Sequence, residues 1–358
     1  MLEARKAVQE MQEYHPPLAG RTGLRLDFNE NTEGCSPRVL ARIQEITADD
    51  LARYPERAPV EAIAAAYLGL AAEQVLLTNG VDEGIHLLCE AYLEPQDECI
   101  VVTPTFSMYE IFAEATGAKV VRIQCGDDLQ FPLEKVLAKI NAATKLIAVA
   151  SPNNPTGSVA SREQLLAIAK SAPGAAILVD EAYFEFHGKT VMADVGTQDN
   201  LFVARTFSKA YGLAGLRLGI LAGPKEQMAM ARRVSSPYSV NAVALLALPA
   251  AIAEREYIAS YVAQVKTGRA TLEKELDNAG IEWWPSEANF VLMRIGGRHR
   301  EFVAAMRQRG ILVRDRSADP GCEGCVRITL GTSAQTDTML AALREVVEEL
   351  KLGAEARA

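Results

Sequence analysis

No apolar run in the chain is long enough to span a bilayer. The longest, AVALLALPAAIA at 242–253, falls short and carries Pro249. The first residues, MLEARKAVQEMQEYHPP, are charged and amphipathic and have no apolar core of the signal-peptide kind. These two absences lead us to expect a cytoplasmic protein with no membrane partner. Basic charge is in deficit: 37 Lys and Arg stand against 46 Asp and Glu, a net −9. A nucleic-acid partner, which needs a basic face, is therefore not expected. Small anionic substrates stay open, because a few local arginines can hold them on an acidic protein. The four histidines form no metal-like spacing. Of the six cysteines, only Cys322 and Cys325 are grouped, as a lone C-x-x-C without a second pair or a nearby histidine. We read that pair as a loop entering a strand, and no metal is expected.

The 358 residues are 49% hydrophobic, enough for about two domains with a sizeable core. Apolar β-rich runs alternate with helical patterns over the first two thirds: 74–78, 98–104, 118–124, 145–152, 175–181, 201–207 and 216–223. Helical segments lie between them, at 81–93, 106–116 and 161–172. Continuous apolar strands alternating with helices predict an α/β fold: a mostly parallel seven-stranded sheet with helices on both faces. The short link between the last two strands predicts that one of them runs antiparallel. After about 225 comes a long helical stretch to about 278. Strands at 288–295, 311–315 and 325–331, with helices near 299–309 and 335–351, then predict a smaller α+β domain.

Ligands of open α/β sheets gather at the carboxyl ends of the strands, so the residues that follow each strand carry the functional argument. Asn79-Gly80 leads into a helix at about Val81, whose free N–H groups form either a simple cap or an anion site. Phe106 and Tyr109 follow the next strand, either as core packing or as a ring stacked on a flat cofactor. SPNNPTG at 151–157 is a turn rich in special backbone geometry, with paired amides that a plain loop does not explain. Asp180 ends an apolar strand, where a carboxylate needs a cation or strong donors, and Tyr183 follows it. Thr206, Ser208, Lys209 and Arg217 come after the next strand. A mostly buried lysine beside a cation is lowered in pKa and becomes nucleophilic, and hydroxyls with an arginine suit a phosphate. Imine lysine, phosphate cradle, acid and aromatic ring together match the needs of pyridoxal 5′-phosphate (PLP).

SPNNPTG, VDEAYFEF, TFSKAYGLAGLRLG and CVRITLG resemble the class I/II aminotransferases, the fold-type I PLP-dependent transferases. LDFNENTEGCSP, ARYPE, NGVDEGIHLL, TPTFSMYEI and LVRDRS resemble the histidinol-phosphate subgroup within them. The resemblance runs from about Tyr14 to about Leu350 in the same order. It implies an N-terminal arm over 1–22, a large PLP-binding domain over 40–245, and a small domain built from 23–39 and 246–358. It implies that Lys209 is the Schiff-base lysine and proton shuttle. Asp180 is the expected partner of the pyridine nitrogen, Asn154 and Tyr183 of the phenolic oxygen, and Tyr109 the stacking ring. Gly80, Val81, Asp82, Thr206, Ser208 and Arg217 form the expected phosphate cradle. Tyr54 is expected to reach the cofactor of a partner subunit, which makes a homodimer. Tyr14, Asn29, Arg314 and Arg327 are the expected substrate contacts. The implied reaction moves an amino group between L-histidinol phosphate and 2-oxoglutarate, in histidine biosynthesis. The rival readings are an aromatic amino-acid aminotransferase, a threonine-phosphate decarboxylase and a non-catalytic PLP-sensing regulator. Thr32 and Cys35 stand where the subgroup has prolines, and Phe106 where many relatives have tyrosine.

Overall fold

The computed structural model describes residues 2–353. Its strands are Leu24–Arg25 (β1), Val75–Asn79 (β2), Glu98–Thr103 (β3), Lys119–Gln124 (β4), Thr144–Ala150 (β5), Ala176–Asp180 (β6), Leu201–Thr206 (β7), Leu218–Ala222 (β8), Glu282–Trp284 (β9), Phe290–Arg294 (β10), Ile311–Leu312 (β11), Arg314–Asp315 (β12) and Cys325–Thr329 (β13). A seven-stranded sheet runs in the order β2-β8-β7-β6-β5-β3-β4. β8 is antiparallel to both β2 and β7, and the other strands are parallel to one another. The expected α/β class and its single reversed strand are both present.

Alternation along each strand supplies both faces of this sheet. In β6, Ile177 and Val179 join a core on one face with Val149, Leu165 and Ile168. Ala176 and Leu178 join a core on the other face with Ile85, Leu88, Phe202 and Met228. Burial on both faces is what makes parallel strands read as unbroken apolar runs. The second body is a four-stranded sheet in the order β12-β13-β10-β9. The long helix Arg255–Ala279 and the final helix Ser333–Glu349 share a core with it that includes Tyr261, Leu272, Phe290, Ile328 and Leu343. β1 pairs in parallel with β11, which ties residues 24–25 to this second body.

Three details differ from the expectations. The stretch from 225 is three helices, Lys225–Val234, Ala242–Ala253 and Arg255–Ala279. Pro237 lies in the first gap, and the Asn241 side chain caps the second helix by accepting from the Ala244 N–H at 2.8 Å. The run 311–315 is two short strands separated at Val313. The amphipathic start forms only the four-residue helix Lys6–Gln9, none of it buried. No helix among the described residues is long and apolar enough to cross a membrane.

Candidate active site

The carboxyl ends of β2, β5, β6 and β7 meet the start of β8 at one edge of the large sheet. A cavity of about 160 Å³ lies there, lined by Val81, Asp82, Tyr109, Asn154, Asp180, Tyr183, Thr206, Ser208, Lys209 and Arg217 among others. Residues as far apart in sequence as 81 and 217 are thus brought together by strand order alone.

One side of the cavity is built for an anion. The helix Gly80–Tyr92 begins there with no side chain capping its first N–H groups, so they remain as donors. Gly80 has φ +76°, and a Cβ on it would lie 2.5 Å from Nη2 of Arg217. Only glycine allows that approach. Arg217 donates to Oδ2 of Asp82 at 2.9 Å. The Thr206 hydroxyl accepts from the Ser208 N–H at 3.0 Å, and both side chains are buried.

Asp180, at the end of β6, also lines the cavity. Its Oδ2 accepts from the Tyr109 hydroxyl at 2.6 Å and its Oδ1 from the Ala182 N–H at 2.9 Å. Burial pushes the carboxyl up to about 6, and these two donors oppose the rise. Lys209 reaches the cavity with its Nζ donating to the Phe28 carbonyl at 3.0 Å. Burial pulls this amine down to about 8; Arg327 and Arg217 add to the fall, while Glu30 and Asp82 oppose it. The Tyr183 hydroxyl accepts from Nδ2 of Asn29 at 2.8 Å, which leaves its own proton for a second acceptor.

Two of the expected residues are almost fully buried. Tyr109, expected as the stacking ring, is 1% exposed, and its hydroxyl is engaged by Asp180. The less buried ring on the cavity wall is Phe106, which meets Tyr109 edge-on at 5.8 Å between centroids. Asn29, expected at the substrate, is 1% exposed and spans Tyr183 and Thr329, accepting from the Thr329 hydroxyl at 3.0 Å. Its side-chain amide holds the Tyr183 hydroxyl.

Arg327 is buried on β13, donating to Asn154 Oδ1 and to the Asp27 carbonyl. Burial and the charges of Arg316 and Arg314 pull it down to about 9, so it is cationic at neutral pH. Arg314 is opposite Arg327 across β12 and β13, with its guanidinium 5.1 Å over the Phe28 ring. Asp27 is held by Arg21 through two hydrogen bonds of 2.9 and 2.6 Å. Thr32 replaces an expected proline, and its hydroxyl pairs with Gln335 at 2.5 Å. Cys35 lies partly buried against the core of the second body. Tyr14 is 43% exposed, and its position near Arg314 registers in the electrostatics of that arginine. Tyr54 is 78% exposed and lies outside the cavity, its ring tilted at 33° to that of Tyr238 with 4.4 Å between centroids. Cys322 and Cys325 are buried free thiols, the second opening β13.

A primary amine held near neutrality, a carboxylate, an anion cradle and an aromatic wall thus share one cavity, with two arginines beyond it. The family described as aminotransferase class I and II matches residues 21–343. The chain belongs to the class I and II aminotransferases. Curated relatives of this aminotransferase include the histidinol-phosphate aminotransferase of Dehalococcoides mccartyi (strain CBDB1), 36% identical over 329 residues, covering 91% of this chain and 90% of the relative. That of Roseiflexus castenholzii is 37% identical over 349 residues and covers 92% of each chain. In fold, the aminotransferase superposes on the histidinol-phosphate aminotransferase of Sinorhizobium meliloti, solved in complex with pyridoxal-5′-phosphate. The TM-score is 0.88 at 24% identity, over 98% of this chain and 99% of the other.

The residues named from the sequence that line the cavity are those next to strand ends. Phe106, one of the two rings the sequence offered, also lines it, whereas Arg316 was not named. The alternation of charged residues in Val313-Arg314-Asp315-Arg316 is a strand signal that points to Arg316 beside Arg314.

Proposed function

We propose that this aminotransferase moves an amino group between L-histidinol phosphate and 2-oxoglutarate, with PLP as its cofactor. The observation that carries the reading is that Lys209 and Asp180 share one cavity whose flank holds two facing arginines, Arg314 and Arg327. Relatives named for this reaction support it over most of the chain. The donor set fits PLP. The close approach of Arg217 to Gly80, the uncapped helix start, and the Thr206 and Ser208 hydroxyls suit its phosphate. Asp180 suits a protonated ring nitrogen, and Tyr183 and Asn154 suit a phenolic oxygen. Phe106 suits one ring face, the role the sequence assigned to Tyr109. When bound, PLP supplies an aldehyde that combines with amines and a ring that accepts electrons from the carbon next to them.

The chain's residues do the rest. Asp180, held by Tyr109 and the Ala182 N–H, keeps the proton on the ring nitrogen. Lys209 Nζ, near neutral in pKa, takes the proton from the α-carbon of the donor. Arg314 and Arg327 hold the phosphate of the donor and a carboxylate of the acceptor in turn, since a guanidinium fork fits either anion. Asn29 orients the Tyr183 hydroxyl. The reading includes a cytoplasmic homodimer in which the exposed Tyr54 reaches the partner's cofactor. It also includes the division into arm, large domain and small domain at 22, 39 and 245.

The test is a spectral titration of the PLP-loaded protein. L-histidinol phosphate is expected to bleach the long-wavelength cofactor absorbance at far lower concentration than L-phenylalanine, and 2-oxoglutarate to restore it. Bleaching by L-phenylalanine at the lower concentration would make this an aromatic aminotransferase. Release of carbon dioxide from threonine phosphate would make it a decarboxylase.

A further inference from the structure

In β12 and β13, Arg314 stands opposite Arg327 and Asp315 opposite Val326. The ladder continues one step, because the Arg316 N–H donates to the Cys325 carbonyl at 2.9 Å. Residues opposite one another, or two apart along a strand, share a face of the sheet. Arg314, Arg316 and Arg327 therefore project from one face. Leu292, opposite Arg327 on β10, and Cys325 both pack into the core of the large sheet. The intervening Val326 and Ile328 pack into the small-domain core. The arginine face is thus turned toward the large domain, where Arg327 reaches Asn154.

Three guanidiniums on one face repel one another, and Arg316 is the charge that most opposes that of Arg327. One carboxylate, Asp319, answers all three and pairs directly with Arg316. Of the other nearby acids, Asp27 is engaged by Arg21, and Asp315 bonds His299 and the Ser317 N–H. The Nε atoms of Arg316 and Arg327 are buried without a hydrogen-bond partner among the described residues. Unpartnered buried donors and excess like charge are costly unless an anion arrives.

We propose that Arg316 is a third anion-reading guanidinium that makes the site prefer a phosphate monoester over a carboxylate at the far end of the substrate. This deepens, and rests on, the phosphorylated-donor reading above. A phosphate monoester carries nearly two charges and three terminal oxygens at neutral pH, and a carboxylate one charge and two oxygens. A guanidinium has five donors, so Asp319 occupies part of the Arg316 fork and leaves the rest for the ligand. Asp319 is a positioning residue in this scheme.

The experiment is calorimetric titration of the PLP-loaded wild type, Arg316→Gln and Arg316→Lys with phenyl phosphate and with benzoate, which share a ring and differ in the anion. The wild type is expected to prefer phenyl phosphate. Arg316→Gln is expected to lose about tenfold or more in affinity for phenyl phosphate and less than about threefold for benzoate. Arg316→Lys is expected to fall between the two. If Arg316→Gln does not fold because Asp319 is left unpaired, the double variant Arg316→Gln/Asp319→Asn removes both charges and is expected to show the same loss of preference. Equal losses for the two anions, no loss for either, or a wild type without the preference overturns the proposal. The donor titration above decides the donor separately: a wild type that bleaches with L-phenylalanine but keeps an Arg316-dependent phosphate preference sinks the donor reading alone.

Discussion

In the cofactor-free chain, Lys209→Met tests the electrostatics that make this amine a nucleophile. Burial, with Arg327 and Arg217, holds the folded-state amine down to about 8, against an ordinary 10.5. Between those two pH values the unfolded chain carries the proton and the folded chain does not, so wild-type stability rises with pH across that window. The stability is fully present above the unfolded value and is lost as pH falls through about 8. The full difference is about 3 kcal/mol, of which about 2 kcal/mol develops between pH 7 and roughly pH 9.5. At neutral pH the same shift leaves about one-tenth of the amine unprotonated, where an ordinary lysine would have a few parts in ten thousand. Methionine has similar length and no charge. The groups that titrate at alkaline pH in both proteins cancel in the difference between them. Urea denaturation of both cofactor-free proteins from pH 7 to roughly pH 9.5 is expected to show Lys209→Met stabilised relative to wild type at pH 7. That advantage should shrink by about 2 kcal/mol toward the alkaline end. A stability difference that stays constant over this range would refute the buried, near-neutral amine.

Lys209→Ala in the PLP-loaded protein is expected to abolish amino transfer, and measurable single-turnover transfer would remove Lys209 from the chemistry. Tyr109→Phe removes the 2.6 Å donor to Asp180. A hydrogen bond to a charged group contributes about 1.5–3 kcal/mol, so the Asp180 carboxyl is expected to rise further and PLP retention on dialysis to fall by about tenfold or more. Gly80→Ala puts a Cβ 2.5 Å from Arg217 Nη2 at φ +76°. It is expected to weaken PLP binding through the displaced guanidinium and to cost about 1–3 kcal/mol in denaturation. Glu61 is buried between Arg57 and Arg232 and accepts from the Leu77 N–H at 3.0 Å. Glu61→Ala is therefore expected to cost about 3–5 kcal/mol, read as a lowered urea midpoint.

The inner strands of the large sheet were legible because burial on both faces leaves unbroken apolar runs. The residues after them were legible because buried parallel strands leave little freedom in where a polar residue can stand. Asp180 stood out as a carboxylate at the end of an apolar strand, and Lys209 as an amine among hydroxyls and glycines. The helical stretch from 225 was legible as helix but not as three helices, since its first break depends on one proline and one side-chain cap, and its second falls at Glu254 with neither. The two rings at the cavity were legible, but the division of roles between them was not. Phe106 and Tyr109 are both aromatic at the start of one helix, and only the long-range bond from Tyr109 to Asp180 separates their roles. Asn29 was expected at the substrate, and its bonds to Tyr183 and Thr329 were not legible because both partners are more than 150 residues away. Local pattern thus determined the elements, their order and the residue types at their ends, because each depends on neighbours within a few positions. Tertiary structure decided which ring bonds Asp180, which amide orients Tyr183, and which three arginines share a face, because these depend on strand register and on contacts between residues far apart in the chain.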